Sequence, residues 1–212
     1  MEENRFWKET AIIFIASLIL ALAASYLQNS LEIFLTLLVT FIAILSINVL
    51  SKKFFANNLE TNVEIKFWSW YQFGYRKSQH FKKPLIMAWL PLLISLITKA
   101  KLIWMPVIEF DVSPKPERIS RRHGLYRYTE VTEWHIALIA TIGIFANVVF
   151  GVIGYFLGFE QFAKYCIYFA AWNLLPISSL DGTKIFFGSR ILYFSSLIII
   201  ATVLLWGISI VV

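Results

Sequence analysis

The fold is decided by one stretch, Asn173-Leu174-Leu175-Pro176-Ile177-Ser178-Ser179-Leu180-Asp181-Gly182. It ends a short apolar segment and places a carboxylate directly after a break that contains proline. The glycine after this carboxylate, Gly182, is expected to let the chain turn sharply. An acidic residue at the end of an apolar helix is a functional-site candidate, because a charge at membrane depth is costly. The same pattern also fits a simple interfacial helix cap, so the rest of the chain has to distinguish the two.

The composition is that of a membrane protein. Of the 212 residues, 58% are hydrophobic and 15% charged, and the mean hydropathy is +0.69. Soluble domains carry about 25% charged residues. We therefore exclude a soluble domain, a disordered chain and a nucleic-acid-binding domain, despite the net charge of +6. The single cysteine, Cys166, excludes an internal disulfide and a zinc site built on paired thiolates.

The apolar runs predict one all-α, polytopic membrane domain over residues 1–212. A membrane-spanning helix needs roughly 20 apolar residues. Five segments are long or apolar enough to be expected as membrane helices: 11–27, 31–50, 136–157, 165–176 and 191–212. Segment 165–176 is short, which indicates a helix that stops inside the bilayer.

Charge decides the role of segment 84–108, whose apolar core is interrupted by Lys99 and Lys101. If it crosses the membrane, lysine and arginine divide almost evenly between the two sides. If it is re-entrant or lies in the membrane plane, 18 of the 19 basic residues fall on one side. The second partition follows the positive-inside rule and puts the N-terminus in the cytoplasm. A sixth span remains the alternative.

Two cytoplasmic regions then remain, 53–83 and 109–135. In the first, charged and apolar residues alternate from Asn62 to Trp70, which predicts a half-buried strand in a small sheet at the membrane edge. The second is rich in arginine, and we expect it to contact anionic lipid headgroups.

The pattern N-x-x-P-x-x-x-L-D-G formed by Asn173, Pro176, Asp181 and Gly182 resembles the second signature of the site-2 proteases, the M50 intramembrane zinc metalloproteases. In that family the aspartate is the third zinc ligand. The resemblance implies a site-2-protease-like helical core with a cytoplasmic sheet at the membrane edge.

Two weaker matches accompany this motif. Gly143 and Asn147 resemble the family's G-P-x-x-N helix, with isoleucine at the proline position. The stretch from Trp68 to Tyr75 resembles the strand region along which family members hold substrate. The resemblance therefore implies a partner-binding edge at Phe67, Trp68, Trp70 and Phe73.

The family's first signature, H-E-x-x-H, is missing. Asn48 stands at the first histidine, Val49 at the catalytic glutamate and Lys52 at the second histidine. Asparagine is a poor zinc ligand, valine cannot accept a proton and lysine repels a cation. We therefore expect no catalytic residue, no metal and no cofactor. The alternative is an atypical zinc site built from Asp181, His135 and Glu133.

These observations predict a catalytically inactive relative of the site-2 proteases. It would bind transmembrane or membrane-edge segments of partner membrane proteins, as an adaptor, regulator or assembly factor. Fold alone does not fix function. The alternatives are an active metalloprotease with an atypical metal site and a structural subunit of a larger membrane complex.

The retained aspartate yields one geometric prediction. A buried carboxylate has to be protonated or find a cation, and Lys52 stands where a metal ligand would be. We expect a Lys52–Asp181 ion pair with N and O within about 4 Å. In the alternative, Lys52 extends to the headgroups and Asp181 caps backbone amides in its own turn.

Overall fold

The computed structural model describes residues 2–26, 30–72, 80–115, 122–123, 126–127 and 131–211, and the side chains within 5–26, 30–70, 81–115 and 131–207. The helices are α1 (Glu2–Ser25), α2 (Leu31–Asn58), α3 (Leu90–Thr98), α4 (Glu133–Phe156), α5 (Glu160–Asn173), α6 (Asp181–Gly188) and α7 (Arg190–Val211). The strands are β1 (Thr61–Phe67), β2 (Ser69–Gln72), β3 (His80–Ile86), β4 (Ile108–Pro114), β5 (Arg122–His123) and β6 (Tyr126–Arg127). The predicted helical class with a small β part is confirmed for these residues.

Four of the described helices, α1, α2, α4 and α7, are long and apolar enough to cross a membrane. Helix α2 contains no glycine or proline and continues eight residues beyond the predicted end at Leu50. Helix α5 has 14 residues, about 21 Å, against the roughly 30 Å of a bilayer core. It begins five residues before the predicted segment 165–176 and ends at Asn173, ahead of Pro176.

Segment 84–108 folds as the end of β3, the short helix α3 and an extended return into β4. Helix α3 has nine residues and rises about 14 Å, too little to cross a bilayer by itself. Ser95 Oγ donates to the carbonyl of Ala23, 2.5 Å away, and fixes α3 against α1. The opposite face of α3 exposes Leu92, Leu93, Leu96 and Ile97. This exposed apolar face favours a re-entrant or in-plane segment, which stays a prediction.

The strands form three antiparallel pairs, β1–β4, β2–β3 and β5–β6. In the first, Thr61 lies opposite Pro114 and Phe67 opposite Ile108. Val63 and Ile65 are buried while their neighbours are partly exposed, which confirms the alternation predicted from Asn62 onward.

Side chains from two helices cover the outer edges of the β1–β4 pair. On β1, Arg5 donates to the carbonyl of Val63 over 2.7 Å, and the amide of Ile65 donates to Glu9 over 3.4 Å. On β4, the carbonyl of Phe110 accepts from Lys184 of α6. Unpaired strand edges invite pairing with another chain. These contacts tie the pair to the helices instead.

Helix α2 lies at the centre of the helical core. Phe41, Ile44 and Leu45 are fully buried on it, between α1 on one side and α4 on the other. The second half of α2 carries Asn48 and Lys52 into the same interior. The residues that the sequence marked as a site are therefore placed by the packing of α2.

The topology can be tested by cysteine labelling at Lys53 and Arg122. The sole native cysteine, Cys166, is buried, so it should give little background. We expect an impermeant thiol reagent to label both introduced cysteines from the same side, because a re-entrant or in-plane segment 84–108 would keep both positions on one face of the membrane. Labelling from opposite sides would restore the sixth span.

Candidate functional site

A buried ion pair joins α2 to the start of α6. Lys52 Nζ lies 2.6 Å from Asp181 Oδ2, and the two side chains are only 4% and 2% exposed. The two residues are 129 positions apart in the chain. The predicted pair is confirmed, and Lys52 does not extend to the surface.

A non-helical segment of seven residues, 174–180, connects α5 to Asp181 at the start of α6. Asn173 ends α5 and donates from its side chain to the carbonyl of Phe169 over 2.9 Å. Pro176 follows, and Ser178 adopts a left-handed backbone with φ 52°. Asp181 then opens α6, where its negative charge suits the helix N-terminus.

Gly182 was expected to allow a sharp turn, but this expectation is wrong, because Gly182 is helical. A Cβ at this position would lie 1.9 Å from the carbonyl oxygen of Leu174. The glycine therefore permits α6 to start against the end of the preceding helix. That close approach sets the position of Asp181.

Gly143 makes room for Lys52 between α2 and α4. A Cβ there would lie 2.4 Å from Lys52 Cε and 3.1 Å from Asn48 Nδ2. The glycine of the G-x-x-x-N match thus has a visible packing role. Any larger residue would push the lysine away from Asp181.

A second lysine shares the environment of the pair. Lys184, one turn after Asp181, donates to the carbonyl of Phe110. Both ammonium groups lie near the Phe110 ring, with Nζ-to-centroid distances of 4.5 Å for Lys52 and 3.8 Å for Lys184. Such cation–π contacts stabilise desolvated cations. Burial lowers the pKa of Lys184 to about 8, with the nearby Asp181 acting in the opposite direction.

Glu109 connects the sheet to the break before α6. Its carboxylate accepts hydrogen bonds from Ser69 Oγ, over 2.9 Å, and from Ser179 Oγ. Ser179 lies two residues before Asp181. The acidic residue of β4 therefore fixes the loop that delivers the buried aspartate.

Two asparagines of the predicted site are buried without full hydrogen bonding among the described residues. Asn48 Nδ2 has no partner, and neither do Nδ2 and Oδ1 of Asn147. Asn48 lies one turn before Lys52, and Asn147 one turn after Gly143. Buried amides are usually paired with protein or water, so these atoms mark a polar spot inside an otherwise apolar helical interface.

The donor set around Asp181 does not suit zinc. Val49 is buried and apolar, and the Asp181 carboxylate already binds the ammonium of Lys52. Among the described side chains, no group of three His, Cys, Asp or Glu residues could hold a metal ion.

The alternative ligands lie at the other end of α6. Glu133 packs against Gly188: a Cβ added at Gly188 would lie 2.5 Å from the Glu133 carbonyl oxygen. Asp181 opens this helix, about 10 Å away along its axis. The ring nitrogen Nδ1 of His135 lies against Thr132 Oγ1.

The expected partner-binding edge is only partly available. Trp68 is fully buried and stacks on Trp104 with ring centroids 5.7 Å apart. Phe67 and Trp70 are half-buried, and Phe73 lies outside the described residues. The side chain of Trp68 thus belongs to the interior, and the predicted edge as a whole stays a prediction.

Several contacts at this site were not foreseen from the sequence. Nothing local marks Phe110 as a neighbour of two lysines, or Glu109 as an anchor for Ser179. Lys184 follows Asp181 by one helical turn, and this spacing could have indicated that a second lysine lies near the buried carboxylate.

Comparison with protein families, curated proteins and solved structures finds no match to this chain.

The ion pair makes a quantitative prediction. We expect Lys52→Met or Asp181→Leu alone to destabilise the protein by about 3–5 kcal/mol, because each leaves one buried charge unpaired. The double variant should be much less destabilised than the sum of the two, since neither member of the pair is left without its partner. Unfolding in detergent followed by circular dichroism measures all four proteins. Additive effects would show that the two residues act independently.

Proposed function

We propose that this chain is a multi-pass membrane protein with a cytoplasmic N-terminus and the scaffold of a site-2 protease without its metal centre. In this proposal it binds transmembrane or membrane-edge segments of partner proteins, as an adaptor, regulator or assembly factor. The Lys52–Asp181 ion pair is the observation that carries the proposal.

The pair supports the proposal because it joins the two segments that would supply metal ligands in an active family member. The resemblance alone implied that α2 and the Asp181 turn meet. In the structure Lys52 contacts Asp181 and also packs against Gly143 of α4. An ammonium there holds the helices together as a dication would. It provides no Lewis acid, and Val49 provides no general base.

The partner surface is proposed at the β2–β3 hairpin and at an apolar cleft at the end of α5. The edges of the β1–β4 pair are occupied by Arg5, Glu9 and Lys184. The space near Asn48 is filled by Lys52. These two surfaces are therefore less suited to a partner.

This cleft has a volume of about 410 Å³. It opens beside the end of α5, and its lining is mainly apolar and aromatic: Leu102, Ile103, Tyr168, Ala171, Trp172 and Leu175. An apolar helix laid in such a groove is a common mode of recognition. The exposed Leu85 and Ile86 of β3 extend the same apolar character along the hairpin.

Site-specific photo-crosslinking tests the partner surface. Benzoylphenylalanine at Leu102 in the cleft is compared with the same residue at Leu22 of α1, since these leucines are 46% and 42% exposed. In native membranes we expect discrete protein adducts from position 102 and markedly fewer from position 22. Equal adduct patterns would contradict a specific surface. Fixed stoichiometry on affinity purification would favour a permanent structural subunit.

The absence of proteolysis is tested separately. We expect purified protein to contain less than stoichiometric zinc and to leave a helical transmembrane substrate uncut. The triple variant Asn48→His, Val49→Glu, Lys52→His is the informative comparison, because it restores the missing signature. Cleavage by the unmodified protein that a zinc chelator stops, or bound zinc that Asp181→Ala removes, would favour the protease alternative.

A further inference from the structure

Two adjoining clefts lie between α1 and α2, and their chemistry differs. The first, about 240 Å³, is lined by polar and charged groups, including Arg5, Lys53 and Lys115. The second, also about 240 Å³, runs along the apolar parts of both helices. The clefts share Phe6, Glu9 and Lys53, so one continues into the other.

The polar cleft is positively charged. Its lining contains three cations, from Arg5, Lys53 and Lys115, and one carboxylate, from Glu9. Glu9 is buried and accepts hydrogen bonds from Arg5, Lys53 and the amide of Ile65. It therefore holds two of the cations at the rim of the cleft. The side chains of Arg5 and Lys53 remain 35% and 37% exposed.

Lys115 differs from the other two cations because its hydrogen-bond partner is neutral. Its ammonium donates to the side-chain oxygen of Asn57, a neutral partner. Arg5 also contacts Glu64, over 3.5 Å, whereas no ion pair is described for Lys115. An anionic ligand in this cleft would gain most from Lys115, because no carboxylate among the described residues pairs with it.

The apolar cleft follows one face of each helix. On α1 it is lined by Thr10, Ile13 and Phe14, and on α2 it extends from Lys53 back to Ile42. Eleven residues of helix correspond to about 16 Å. The cleft therefore continues from the basic end of α2 into the part of the helix that is long and apolar enough to cross a membrane.

We propose that the paired clefts bind one anionic phospholipid, with its phosphate in the polar cleft and an acyl chain along the apolar one. The proposal rests on the membrane placement given under Proposed function, but on neither the partner surface nor the family resemblance. Charge complementarity selects an anionic headgroup, and each basic residue near such a lipid contributes measurably to binding. The adjoining clefts together reach the size of ordinary ligand sites, roughly 300–1,000 Å³.

Native mass spectrometry of the purified full-length protein in detergent tests the site. Phosphatidylglycerol and phosphatidylcholine with the same acyl chains are compared, and glycerophosphoglycerol without acyl chains is the third probe. We expect one phosphatidylglycerol to bind more tightly than phosphatidylcholine. The soluble headgroup should bind weakly, because it cannot use the apolar cleft.

Two variant pairs separate the two clefts. Lys115→Gln should lower phosphatidylglycerol affinity about fivefold, the scale for one basic residue near anionic lipid, and leave phosphatidylcholine unchanged. Lys66→Gln is its control, since Lys66 is exposed on the same sheet and pairs with Asp111. Ser46→Phe should fill the apolar cleft and weaken both lipids. Thr36→Phe, also on α2 but lining a different groove, should not.

The outcomes that overturn the proposal are specific. Equal binding of the two lipids would indicate general annular lipid. Equal losses from Lys115→Gln and Lys66→Gln would indicate attraction to the overall positive charge. Tight binding of the headgroup alone would indicate a phosphate site without an acyl chain. The crosslinking result at position 102 is independent of these lipid-binding results. Failure of the lipid proposal would therefore not contradict the proposed partner function.

Discussion

The structure depends on the need of one buried carboxylate for a cation. Asp181 opens α6 inside the protein, where an unpaired charge would be costly. Lys52 meets that need from α2, and Gly143 on α4 leaves the space through which the lysine passes. Three helices are therefore positioned by one ion pair. A buried ion pair contributes little net stability compared with apolar residues of the same shape. Its effect here is to specify which helices meet and in what register.

Under the proposed function, the same ion pair lies where an active family member would bind its metal. A tetrahedral metal fixes its ligands by direction as well as distance. An ammonium on a flexible stem imposes distance alone, and the rest of the geometry has to come from packing. The close approach of Gly182 to Leu174 supplies part of it. The hydrogen bond from Ser179 to Glu109 and the position of Lys184 against Phe110 supply more. The sheet and the helices are thus joined at the point where the buried charge lies.

Much of this arrangement could be predicted from the sequence, and the remainder could not for identifiable reasons. Long apolar runs predicted the helices, because burial and helical length leave clear patterns. The alternation after Asn62 predicted β1. The ion pair followed from one carboxylate and one lysine at positions that the family resemblance brings together. The role of Gly182 was misjudged, because a glycine needed for close packing and a glycine needed for a turn are identical in sequence. The contacts of Phe110, Glu109 and Arg5 join residues that are far apart in the chain, and no local pattern marks them.

The covering of the two strand edges has a consequence for the order of synthesis. The edge of β1 is covered by Arg5, which precedes Val63 by 58 residues. The ribosome therefore synthesises Arg5 before it synthesises β1. The edge of β4 is covered by Lys184, which is synthesised 74 residues after Phe110. At 5–20 residues per second the ribosome needs roughly 4–15 s to make that interval. During those seconds β4 presents an open edge in the nascent chain. The sheet is therefore exposed to wrong pairing from one side only, and only until α6 has been made.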